Sequence, residues 1–177
     1  MNNNFKNNFI DRQFKHIRLF QDNMILLEKN LDKLPFKIKE WELIRVCLTH
    51  DSDKFNDDVV EKRIEVSKYW YCEWYNIKDE NLISVDEVNK FSHYHYEKSR
   101  HHIEFYNNNK DISYIALCEM ACDMSAICQE LSYRPYSNYL VKNRDGRFKI
   151  LSDLQIEILI YILHLIWLLY TTKKLNK

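Results

Sequence analysis

The run Tyr114-Ile115-Ala116-Leu117-Cys118-Glu119-Met120-Ala121-Cys122-Asp123-Met124-Ser125-Ala126-Ile127-Cys128 holds only two charged residues, Glu119 and Asp123, and they stand four apart. On a helix that spacing puts both acids on one face, a turn from each other. The rest of the run is apolar or small. It predicts a helix over roughly 112–131, the most deeply buried of the chain. An ionised carboxylate in such a setting is costly unless a cation or several hydrogen bonds compensate it. Asp123 therefore needs a partner, either hydrogen-bonding Tyr or Ser side chains or a bound cation.

The composition points to helices throughout. One glycine and two prolines in 177 residues is too few turn formers for a many-stranded sheet, and argues for long helices joined by polar loops. The fold class is all-α, a helical bundle. With 46% apolar and 14% aromatic residues the chain suits a single domain over residues 1–177. Its 26 basic and 26 acidic residues cancel, so no field advertises nucleic-acid binding and an anionic substrate must be caught locally. The five cysteines are odd in number and lie mostly in apolar stretches, as reduced thiols do. That pattern, with no apolar leader in Met-Asn-Asn-Asn-Phe-Lys, leads to the expectation of a cytoplasmic protein. Ile156 to Tyr170 is nearly all apolar but shorter than the roughly 20 residues of a span, and it carries Glu157 and His164. It reads as a buried core helix with His164 a satisfied core residue, and no membrane association is expected.

Periodicity places the other helices. Phe14, Ile17, Phe20, Met24, Leu27 and Leu31 recur at threes and fours, marking a first helix from about 8 to 31 with His16 beside its stripe. A second helix follows Pro35, in which Ile44, Cys47, Leu48 and Asp51 form an inward face. A third runs from Asp57 to about Tyr75, with Val60, Ile64, Ser67, Tyr71 and Trp74 on one side. The aromatic group Tyr69, Trp70, Tyr71, Trp74 and Tyr75 reads as core packing more simply than as a base-stacking surface. Ser84 with Glu87 makes a capping box for a fourth helix, and Ser99 caps a short one holding His101, His102 and Phe105. Asn107 to Asn109 is a loop, and Asp111 caps the buried helix. A loop around Pro135 and Gly146 leads to Ser152 and Gln155, the capping box of the last helix.

The candidate partners of Asp123 are histidines. In chain order they and the acids run His16, His50-Asp51, His95, His101-His102, Asp123, a mixture of imidazole and carboxylate suited to a borderline or hard divalent ion. His16, His50, Asp51 and Asp123 can reach one ion from separate helices, as in bundle cores. His95 and His102, seven apart, are within about 20° of alignment on a continuous helix; including His101 needs a break, which Ser99 provides. Seven ligands are too many for one ion and suit two, bridged by Asp51 and a hydroxide, an arrangement that clamps both oxygens of a phosphoryl displacement. His93 faces away from His95 and is left out. Glu119 either orients a ligand histidine from behind or lies at the surface. Cys118 and Cys122 have no second close pair to complete a structural zinc site.

The order His, His-Asp, Asp resembles the HD-domain superfamily of metal-dependent phosphohydrolases, all-α bundles of at least five helices. With His-Asp-x-x-Lys and a later His-His pair it looks like the two-metal branch that includes phosphodiesterases. More closely, His50-Asp51-Ser52-Asp53-Lys54-Phe55, His95 ahead of His101-His102, and Glu119-Met120-Ala121-Cys122-Asp123 resemble a small uncharacterised HD-like family of bacteria and phages, domain of unknown function 5662, over roughly residues 10 to 170. The resemblance implies that His16, His50, Asp51 and Asp123 take a primary metal while His95, His101 and His102 serve a second. Lys54 departs from the nucleotidase branch, where an acid acts as base, and fits a contact to substrate phosphate.

The function expected is a metal-dependent phosphohydrolase or phosphodiesterase acting on a nucleotide or cyclic-nucleotide phosphate ester through a metal-bound hydroxide. Asp51 and Lys54 would be its catalytic residues, Lys54 also binding substrate. One or two divalent ions are implied, and manganese, iron, zinc, magnesium and nickel all fit. The alternatives are an HD-type di-iron oxygenase and a helical module that binds a nucleotide without turning it over. The location implied is the cytoplasm, or the host cytoplasm for a phage-encoded chain.

Overall fold

A computed structural model describes residues 3–74, 76–131 and 137–175. Among these there is no strand, and seven α-helices follow in order: α1 Asn3–Glu28, α2 Glu40–Thr49, α3 Asp57–Trp74, α4 Val85–Lys98, α5 Tyr114–Glu130, α6 Ser137–Lys142 and α7 Asp153–Leu175. The all-α expectation holds. The centre of the bundle is α5, packed chiefly between α1 and α7. Neighbours on two sides explain why it has no polar face: Ala116, Leu117, Cys118, Ala121, Cys122 and Ala126 are all buried. Its small residues let α1 and α7 approach closely, while Phe20, Met24, Leu159 and Ile162 fill the flanks.

Hydrogen bonds set the register of α1 on α5. The Asn23 amide donates to the Cys122 carbonyl at 3.2 Å and exchanges bonds with the Gln129 side chain. Nearer the helix start, the Arg12 guanidinium donates to Glu130 at 2.7 Å. These bonds satisfy buried polar groups, which would otherwise oppose packing, and they bring His16 level with Asp123.

Several local expectations change. In α2 the inward residues are Leu43 and Val46, whereas Ile44 and Leu48 are exposed. The helix ends at Thr49, and the chain turns at Asp51 with φ 57° and ψ 11°. Asp51 therefore does not extend the helix stripe; a left-handed turn, which Asp tolerates better than most residues, aims it inward. Phe14 is also exposed, because it lies on the outer side of α1, where it stacks on Phe55 at 5.8 Å. Ser99 ends α4 instead of opening a helix, and His101 and His102 occupy the turn before a 3-10 segment at Ile103–Phe105. Ser113, not Asp111, caps α5 by accepting from the Ala116 amide. The loop expected around Gly146 contains the short helix α6, and Pro135 and Tyr75 lie outside the described residues. The capping boxes at Ser84 and Ser152 are both present.

The last helix is longer than its apolar run. At 23 residues α7 is long and apolar enough to cross a membrane by length and composition, and 39% of its most apolar window is buried inside the bundle. That corrects the length argument made from Ile156 to Tyr170. His164 is corrected too: it is exposed and meets Ser137 at 3.1 Å. The buried side of α7 carries Leu159, Ile162, Leu163 and Ile166.

Leu159 is fully buried and Leu154 is 60% exposed. Leu159→Ala is expected to lower unfolding free energy by about 2–5 kcal/mol, and Leu154→Ala by less than about 0.5 kcal/mol. Urea denaturation of both variants checks the contrast.

Candidate metal centre

Five chain segments converge beside the middle of α5. Asp123 comes from α5 itself and His16 from α1, with His16 Nε2 2.9 Å from Asp123 Oδ1. His50 caps α2, its amide donating to the Val46 carbonyl, and its ring stacks on Phe20 with centroids 3.6 Å apart and planes 7° from parallel. That stacking holds the imidazole edge toward the acids: His50 Nε2 lies 3.4 Å from Asp123 Oδ1 and 3.6 Å from Asp51 Oδ2. His95 from α4 and His101 from the following turn face the other oxygen, their Nε2 atoms 3.4 and 3.5 Å from Asp51 Oδ1. His102 completes the second group, its ring 4.8 Å from that of His95 and 4.3 Å from that of His101.

All seven residues expected as ligands thus come together, in two sets of mutually close donor atoms: His16, His50, Asp51 and Asp123 in one, His95, His101 and His102 in the other. Asp51 faces both, one oxygen to each. Lys54, the remaining expected site residue, sits half-buried with its ammonium 2.6 Å from Asp51 Oδ2. His93 is exposed and pairs with Glu97 at 3.2 Å, away from the cluster.

Carboxylates grip the far sides of the rings. Asp53 Oδ2 lies 2.8 Å from His95 Nδ1, to which the Ser99 hydroxyl is also close at 3.1 Å. Glu119 Oε1 stands 3.5 Å from the Nδ1 atoms of both His50 and His101, while Arg100 donates to its other oxygen at 2.9 Å. Glu119 is therefore a buried orienting residue, not a surface one. Such contacts fix which ring nitrogen faces a metal and raise its basicity.

What the inner atoms lack is a partner. His50 Nε2, His95 Nε2, His101 Nε2 and Asp51 Oδ1 are buried and make no hydrogen bond, and His50 Nδ1, 3.5 Å from Glu119, makes none either. Buried polar atoms are normally satisfied, so four orphans aimed at one region call for something to fill it. Nitrogen and oxygen donors in this mixture fit a divalent cation.

The family model for a family of unknown function (DUF5662) matches residues 6–165. The chain belongs to that family. No curated protein and no solved structure matches it. The DUF5662 match spans every residue of the cluster.

The electrostatics of the DUF5662 cluster follow from burial and charge. Burial alone would raise the Asp51 carboxyl, but Lys54 and His50 hold it well below the usual carboxylate range. Asp123 is likewise held down against its burial, by His16 and His50. Glu119 is lowered to about 2, as His101 and His50 overcome its desolvation. His50 shows the opposite outcome: burial would lower it, yet Asp51, Asp123 and Glu119 raise it to about 9. His102 is pushed well below the ordinary imidazole value by burial and the neighbouring His101, which leaves it neutral and able to ligate.

Sequence reasoning passed over Asp53, Arg63 and Arg100. Asp53 stood inside the quoted His-Asp run, two residues after Asp51. Arg63 is 8% exposed, and its signal was the set Arg63, Val66, Ser67 and Trp70, at i, i+3, i+4 and i+7 on α3. Only one side of that helix was read as inward. Trp70 and Tyr71 are each 38% exposed, so the aromatic group is not simple core packing.

A pH dependence follows. Ligation needs neutral imidazole, and His50 keeps its proton up to about 9. Manganese affinity of the cation-free chain is expected to rise about tenfold per pH unit, so roughly a hundredfold from about pH 6.5 to about pH 8.5. Calorimetric titrations should find this slope in the native chain and a much flatter one in His50→Gln. Without cation, the stability due to charged His50 is complete below 6.5 and lost as pH rises through about 9. That due to Glu119 is complete above 4.5 and lost as pH falls toward about 2.

Proposed function

We propose that this chain is a metal-dependent phosphohydrolase of the HD type, acting on a small phosphate ester of the nucleotide or cyclic-nucleotide class. The observation that carries the reading is Asp51, a fully buried carboxylate with one oxygen toward His16 and His50 and the other toward His95 and His101. A carboxylate placed between two histidine groups suits a pair of ions. His16, His50, Asp51 and Asp123 would hold one ion, and His95, His101 and His102 a second, with Asp51 common to both. A divalent ion bound there would acidify water and polarise phosphoryl oxygens.

The chain's own groups supply the rest. Asp53 and Glu119 orient three of the imidazoles, so the donors need little rearrangement. Lys54, paired now with Asp51, carries a mobile ammonium on a long stem, able to turn from the carboxylate to a phosphoryl oxygen and to balance charge developing there. The five cysteines are all free, which supports a reducing, cytoplasmic setting. The balanced net charge favours a small-molecule substrate over a nucleic-acid polymer.

The full chain, loaded with manganese, is expected to release phosphate or open a phosphodiester in a panel of nucleoside monophosphates, diphosphates and cyclic nucleotides. Chelation should stop turnover and manganese restore it. Asp51→Ala should lower kcat by at least about a thousandfold. Absence of turnover across the panel with metal shown to be bound would overturn the assignment, and iron retention with oxygen uptake would direct it to oxygenase chemistry.

A further inference from the structure

Two cavities flank the cluster, and they differ in what their cations are doing. One, of about 400 Å³, is bordered by Arg45, Lys98, Arg100, His101 and Glu119. Its Arg100 is already paired with Glu119, and Arg45 is exposed and lies over Trp41. The other, of about 230 Å³, opens between α1, α3, α4 and α5, where Lys54, Arg63, His102, Trp70 and Tyr96 face it beside the carboxylates Asp123 and Glu130, the latter paired with Arg12. Here Arg63 is buried to more than nine-tenths, and among the described residues its guanidinium has no hydrogen bond or ion pair. Burial pushes it below its ordinary pKa, and the charges of Asp53 and Asp51 only partly offset that. Those two carboxylates are themselves engaged, Asp51 with Lys54 and Asp53 with His95. The guanidinium borders the cavity without a partner of its own, and its planar fork matches the oxygens of a phosphate.

We infer that this cavity receives a compact phosphate monoester, with Arg63 as its anion anchor and Trp70 and Tyr96 as walls for the organic part. The phosphate end lies toward Lys54 and His102, beside the donor sets, and the organic end toward Trp70 on the outer side. Trp70 is part-exposed with its neighbour Tyr69 edge-on at 5.4 Å, while Tyr96, 4.4 Å from the His102 ring and with the Arg147 guanidinium 5.3 Å over its own, offers its edge; flat rings in such a cleft favour a flat or apolar ester group. At about 230 Å³ and open on its outer side, the cavity has room for a phosphate and part of one organic group but not for a cyclic dinucleotide. Arg63 also suits the dianion of a monoester better than the single charge of a diester. The inference rests on the phosphohydrolase reading for the ester's fate, but not for its binding.

Calorimetry with inorganic phosphate, on the full manganese-loaded chain, separates the two. Arg63→Gln is expected to weaken phosphate binding by about tenfold to a hundredfold, with manganese content unchanged; Arg63→Lys should recover part of the loss. Adenosine monophosphate should compete with phosphate, and a cyclic dinucleotide should not. Unchanged phosphate binding in Arg63→Gln, or tighter competition by the cyclic dinucleotide, overturns the inference even if the chain hydrolyses esters. Arg63-dependent phosphate binding sustains it even if no ester in the panel is turned over.

Discussion

Three carboxylates, Asp51, Glu119 and Asp123, are almost wholly buried in the bundle, and the need to compensate them organises much of what surrounds them. Each would lose several kcal/mol or more if left charged and unpaired in such a place. The compensation is spread over His16, His50, His101, Lys54 and Arg100, drawn from α1, the end of α2, the segment after it and the turn after α4. No single helix could present that many donors to one point. The chain therefore stops α2 at His50, takes up a left-handed conformation at Asp51 and breaks α4 at Ser99. Each interruption aims a side chain that a continuous helix would have carried past the cluster.

The apolar bulk makes that tolerable. With α5 enclosed by α1 and α7, close packing resists the expansion by which water would otherwise reach the acids. Packing also fixes donor direction, most plainly where the Phe20 face holds the His50 ring. Preorganisation of this kind matters for a metal or substrate site because displacement of an ångström is enough to lose it. Core and cluster are in this sense one device: the first holds the second still, while the second compensates the acids that would otherwise open the first.

The parts legible in sequence were those governed by short-range rules. The composition of 114–128 with acids four apart made α5 recognisable, and serine with glutamate or glutamine three residues on marked the starts of α4 and α7. All seven residues proposed as ligands meet in the structure because the types and their order constrain one another. Less legible was whatever depended on chain direction after a helix end. Treating Asp51 as the next position of α2 rotated the expected inward face onto Ile44 and Leu48; the left-handed turn is a single-residue event that periodicity cannot register. His164 was judged by its apolar neighbours, though one side of α7 faces outward. Arg63 escaped notice because a lone arginine on an amphipathic helix reads as surface, and only the tertiary meeting of α1, α3 and α4 buries it.

Charge balance gives the cluster a direction of change. Around it stand four carboxylates, Asp51, Asp53, Glu119 and Asp123, and three fixed cations, Lys54, Arg63 and Arg100, with His50 protonated as the raised pKa requires. Without bound cations the set is close to neutral, which accounts for its tolerance inside the bundle. Two divalent ions would expel the His50 proton and loosen Lys54 from Asp51, yet still leave a surplus of positive charge among groups shielded from water. A hydroxide and a phosphate dianion are the species that would restore neutrality, and Lys54 and Arg63 stand on the side where the dianion would enter. In the proposed reading cation and substrate binding would be coupled, each removing the electrostatic cost that the other would face alone.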